Sequence, residues 1–167
     1  MEKLINKISN YHVFNYLVPG GVYIIIFDSF VEQVFYTSNY IILFLIAYFI
    51  GVIISRFGSL VVSKILYKFT KQVGDDYSSY INACNKDQKI DELMQDKNMY
   101  RSFCSMLVLL LISKIVKIII DKFNINIEIL IITIAILLIV LFSLSFLKQN
   151  RIINERVKAN KNKTDTQ

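Results

Sequence analysis

The chain has 167 residues, 54% of them hydrophobic, a mean hydropathy of +0.48 and a formal net charge of +6. Soluble domains hold about 45–50% apolar residues, so the excess points to a membrane protein, and the length allows one bundle with one modest element outside it, a single domain. The positive charge does not imply nucleic acid, because Lys and Arg collect at the ends of apolar runs, where membrane orientation and anionic headgroups account for them.

The first 18 residues are amphipathic, with Lys3 and Lys7 among Leu4, Ile5, Ile8, Val13, Phe14 and Leu17. They lack the apolar core and small-residue cleavage site of a signal peptide, so this segment is expected to be retained at the cytoplasmic interface. Pro19 suits the first turn of a helix, where its missing N–H would be unpaired anyway. A first span is therefore expected over residues 19–38, and it contains Asp28 and Glu32. If the hydrophobic segment begins at Tyr11 instead, both acids move to its outer end.

Tyr40 to Ser55 is an uncharged apolar run, read as the second span and stopped by Arg56. Beyond it, Lys64, Lys68 and Lys71 recur at i, i+4 and i+7, opposite Phe57, Leu60, Val61, Ile65 and Phe69. This predicts an amphipathic basic helix that runs along the inner leaflet or continues the second span into the cytoplasm. Arg56, Lys64, Lys68 and Lys71 would then contact acidic headgroups. Gly74 ends that helix, and Asp75 and Asp76 can cap the next one. Residues 77–101 read as one or two short helices with a thin apolar stripe, too little for a separate core.

The third span is expected over residues 103–120, with Lys114 and Lys117 in its outer half, and residues 121–126 form a short turn. Ile129 to Leu147 comes next, nineteen residues without a charge. About 20 apolar residues are what a helix needs to cross a hydrocarbon core of roughly 30 Å. Six Lys and Arg come directly behind it, against Glu155 and Asp165. Basic residues mark the cytoplasmic side. Two precede Pro19, eight lie between Arg56 and Arg101, and Lys122 alone falls in the outer turns. The expected fold is thus all-α: an integral membrane four-helix bundle with a helical cytoplasmic loop over 56–102 and a basic tail over 148–167. Both ends face the cytoplasm, in the inner membrane if the source is bacterial.

The ionisable residues inside the spans are the most informative. Insertion of a central Lys or Asp costs at least about 2.5–3.5 kcal/mol, so such residues tend to face a partner or a water-filled cavity. Asp28 and Glu32 are four apart, and Lys114 and Lys117 three apart, so each pair shares a helix face. With a rise of about 1.5 Å per residue the pairs reach similar depth. Two arrangements are open. The acids meet the lysines, within one chain or around an oligomeric pore, or the lysines snorkel to outer headgroups while the acids occupy the external turn. Gly51 and Ser55, also four apart, permit close helix approach, either within the chain or between copies.

Catalytic patterns are absent. His12 is the only histidine and has no Cys or carboxylate at ligand spacing. No GxSxG or phosphate-cradling glycine loop occurs, and Cys84 and Cys104 read as free thiols. No enzyme activity, metal or cofactor is expected.

Three stretches carry a likeness to known sequences: Asn15 to Gly20 (NYLVPG), Phe49 to Leu60 (FIGVIISRFGSL) and Asn98 to Arg101 (NMYR). They resemble a group of small uncharacterised bacterial four-span membrane proteins, over about residues 10–120. The resemblance implies four spans but transfers no active site. Small membrane proteins of similar layout act as membrane effectors in anti-phage systems, an analogy of layout alone. The expected partners are membrane lipids, further copies of the chain and a cytoplasmic protein recruited by residues 74–101. An oligomeric pore-forming or membrane-perturbing component of a defence or toxin-like system is the first expectation, and a membrane adaptor the alternative.

Overall fold

The computed structural model describes residues 13–35, 37, 39–70, 84, 87 and 89–164, and all regular structure among them is helical. Helix α1 joins a widened π-helical turn, Val13–Leu17, to Val18–Phe30. Helix α2 comprises Tyr40–Phe57, a second π-helical turn at Gly58–Val62, and Ser63–Thr70. Helix α3 is Lys89–Phe123 and α4 is Ile127–Thr164. Three of these, α2, α3 and α4, are long and apolar enough to cross a membrane.

Local chemistry sets the ends. Asn39 caps α2, its side-chain oxygen accepting from the Ile41 and Ile42 amides at 3.0 and 3.4 Å, the usual service of an N-cap residue to otherwise orphan donors. Asn124 adopts φ 48° after α3, a left-handed conformation that Asn tolerates better than most residues. Asn126 then accepts from the Glu128 amide at 3.0 Å and starts α4.

The helix bounds depart from the apolar runs in all four helices. The first helix is already formed at Val13 and stops at Phe30, so it starts before Pro19 and ends well short of residue 38. The Asp28 carboxylate explains the stop: it accepts from the Val34 and Phe35 amides at 3.0 and 3.1 Å and folds the chain back over the helix end. The wide turn directly before Pro19 gives room to a ring that crowds the preceding carbonyl and has no N–H to offer it. Arg56 does not stop α2, which continues to Thr70, so the basic helix extends the second span rather than forming a separate one. Residues 89–102, expected as part of one or two short separate helices, are instead the first turns of α3, and the tail is helical to Thr164.

The core lies among α1, α2 and α3. Ile54, Met106 and Leu110 are buried, with Val22, Tyr23, Ile26, Phe27, Ile50, Phe103 and Leu109 packed around them. Helix α4 lies along α2, with Phe142 stacked on Phe49 at a centroid distance of 6.2 Å. Between Ile129 and Leu147 its surface is largely apolar and open, as at Ile129, Ile132, Ile136, Leu144 and Leu147.

Candidate functional site

The polar groups of the three core helices form a series of ties along their shared seam. At the Arg56 end, Asn15 in the first wide turn is 2% exposed and Ser102 on α3 is fully buried. The Ser102 hydroxyl donates to Asn15 Oδ1 at 2.7 Å, and Asn15 Nδ2 donates to the buried Ser55 Oγ at 3.3 Å. One carboxamide therefore bridges three helices, satisfying groups that would otherwise be costly to bury. Midway, Tyr23 and Ser113 hydroxyls share a 2.7 Å hydrogen bond.

Close backbone approach makes the first tie possible. A methyl group on Gly20 would run into the Ala47 carbonyl, and one on Gly51 into the Tyr16 carbonyl. Gly51 and Ser55 thus serve packing inside the chain, since both face α1. Lower down, a methyl group on Gly58 would meet the Ser105 hydroxyl and come within 3.5 Å of Arg101 Cγ.

At the other end, Glu32 and Lys117 alone of the four expected ionisable residues are paired with each other among the described residues. Lys117 Nζ lies 2.9 Å from Glu32 and 3.2 Å from Asp121 on its own helix. Lys114 Nζ donates to the Phe30 carbonyl at 2.6 Å and sits 5.1 Å from the Phe30 ring centroid. It thereby covers the carbonyl end of α1, where a cation is favoured by the helix dipole. Asp28 is paired with no lysine among the described residues; its carboxylate holds the two backbone amides of the turn. Glu32 stands in the connection after α1 rather than within the helix.

The basic residues of α2 divide. Lys64 and Lys68 are exposed and Arg56 is half-buried, while Lys71 lies outside the described residues. Of the expected recruiting segment over 74–101, residues 74–83, 85, 86 and 88 also lie outside them. Lys148, by sequence only the first residue of the basic tail, reaches α2: its ammonium donates to both the carbonyl and the hydroxyl of Ser59, each at 2.7 Å. Sequence reasoning also passes over Asn15, Tyr23, Ser102 and Ser113. The available signal is polar residues interrupting apolar runs, with Ser102 and Ser105 three apart on one helix face.

No protein-family model matches the chain, and no curated protein or solved structure is significantly similar to it.

Proposed function

We propose that the chain is a four-span integral membrane protein, with both ends and the connection between α2 and α3 in the cytoplasm, acting as an oligomeric membrane-perturbing or pore-forming component. The observation that carries this reading is the unequal packing of the helices. Polar ties and glycine crossings bind α1, α2 and α3 to one another, whereas α4 exposes isoleucine and leucine on nearly every face. In water such a surface would aggregate; in a bilayer it is solvated by lipid, or covered by the same helix of another copy. Helix α1 with its wide turn covers 18 residues, about 27 Å at 1.5 Å per residue, close to a hydrocarbon thickness.

The pairing of Glu32 with Lys117 within one chain supports a particular version of this function. The charges act as a latch on the three-helix unit, and a conducting assembly forms when copies join through α4. Such behaviour would suit a toxin-like or defence component. Purified full-length protein in liposomes tests the reading: leakage of an entrapped ion should rise more steeply than in proportion to protein density. Tight liposomes at every density, with a monomer throughout, would exclude it.

A second reading is favoured by a groove of about 470 Å³ between the Ser63–Thr70 part of α2 and the first turns of α3, lined by Leu66, Tyr67, Leu93 and Tyr100. A membrane adaptor would use this side of the molecule to recruit a cytoplasmic protein. In that case the liposomes stay tight.

A further inference from the structure

The π-helical turn at Gly58–Val62 has a chemical consequence. In a regular α-helix the Ser63 amide would bond to the Ser59 carbonyl. Here it donates to Gly58 instead, as does the Ser63 hydroxyl at 3.0 Å. The Ser59 carbonyl thereby lacks the Ser63 amide as a donor, and Lys148 of α4 donates to it at 2.7 Å, with a second bond of 2.7 Å to Ser59 Oγ. An ammonium has three N–H donors. Two are held by Ser59, which fixes the side chain, and the third is left for another acceptor.

Other cations surround this seat. Gly58, lacking a side chain, lets α3 approach closely enough to bring Arg101 alongside. Arg56 precedes the wide turn and Lys64 follows it. Arg56 lies three residues before Ser59 and Lys64 five after it across the wide turn, each about one turn away along α2, and partial burial, with these charges and Arg101, lowers the pKa of Lys148. No ion pair joins Arg56, Lys64 or Lys148 to a carboxylate among the described residues. Three helices thus deliver four positive side chains to one place. Mutual repulsion among Arg56, Lys64 and Lys148 is unfavourable in a partly desolvated setting unless an anion joins them.

We infer that Arg56, Lys64, Arg101 and Lys148 form a site for the phosphate group of an anionic phospholipid, seated by the wide turn of α2. The inference rests on the four-span reading, which puts these residues at headgroup level: the uncharged run of α4 ends at Leu147, one residue before Lys148. It differs from general attraction of the α2 basic face to the membrane, because its central residue lies on α4 and is oriented by a backbone carbonyl. Phosphate oxygens match this donor set, and charge-assisted hydrogen bonds to them are among the stronger ones.

The test uses the full chain in neutral detergent, titrated with phosphatidylglycerol, phosphatidylcholine or inorganic phosphate, with bound lipid counted by native mass spectrometry. Phosphatidylglycerol should be retained and raise the melting temperature, and the other two should do neither. Lys148→Gln should weaken retention about fivefold, the effect of one basic residue at an anionic surface. Lys148→Arg and Lys122→Gln should keep it, the first because the charge remains, the second because it lies at the far end of α3. Equal retention by Lys148→Gln, or equal stabilisation by phosphatidylcholine, would overturn the site. Equal stabilisation by inorganic phosphate would overturn its assignment to lipid. A chain that stays monodisperse in buffer without detergent would overturn the four-span reading itself. A detergent-dependent chain whose lipid retention ignores Lys148 overturns the site alone.

Discussion

Ser102 and Asn15, separated by 87 positions in the chain, are joined by a 2.7 Å hydrogen bond between two buried side chains. Removing the hydroxyl takes the Ser102 donor away from Asn15 Oδ1 inside the bundle. Ser102→Ala should therefore lower stability by about 1 kcal/mol, between the average for hydrogen bonds inside membrane bundles and the cost of a buried unsatisfied acceptor. Reversible unfolding in a denaturing detergent would measure it. A double-mutant cycle with Asn15→Leu should show coupling, and strictly additive losses would contradict the contact.

Glycine substitutions should separate close approach from helix propensity. In an ordinary helix Gly→Ala is favourable by up to about 1 kcal/mol. Gly21 has open space around it, and Gly21→Ala should follow that rule. Gly20→Ala and Gly51→Ala instead force a methyl group into the backbone of the neighbouring helix. Each should destabilise by about 1–3 kcal/mol, as overpacking does. If all three variants unfold alike, α1 and α2 do not cross at these glycines.

The ion pair at the Glu32 end distinguishes between its two lysines. Glu32→Lys and Lys117→Glu should each weaken the three-helix unit, and the double exchange should recover part of the loss. Exchanging Glu32 with Lys114 should recover nothing, because Lys114 holds the Phe30 carbonyl. The comparison is made by thermal unfolding in detergent at low and high salt; recovery that disappears in high salt identifies the pair as exposed.

Topology can be read by labelling from one side. In a chain with Cys84→Ser and Cys104→Ser, single cysteines introduced at Gln88 and Gln167 should react with a membrane-impermeant reagent only after the membrane is opened. Asn124→Cys should react before it. Labelling of Gln88→Cys and Asn124→Cys from the same side would break the four-span assignment.

The helical class and the three long apolar helices are legible in the sequence because an apolar run must satisfy its backbone internally, and helix is the local way to do so. Boundaries are less legible where a single side chain moves them. Asp28 looks like an intramembrane charge, and its work as a clamp on the Val34 and Phe35 amides depends on a turn that periodicity does not encode. The meeting of Glu32 with Lys117 is one of two arrangements the sequence leaves open, and helix rise does not decide between them because Glu32 lies beyond the end of α1. The Asn15 bridge cannot be anticipated, because a hydrogen bond across 87 positions depends on where helices cross. Both wide turns are likewise hidden, since each adds a residue to a helix whose composition looks regular on either side.

That added residue in Gly58–Val62 also sets an azimuth. Successive residues of an α-helix are offset by about 100°. One surplus position therefore swings Lys64, Ile65 and Lys68 around the axis relative to the segment that packs against α1. Shortening the turn by one residue would keep every charge in the sequence, yet aim the basic stripe to a different quarter of the molecule.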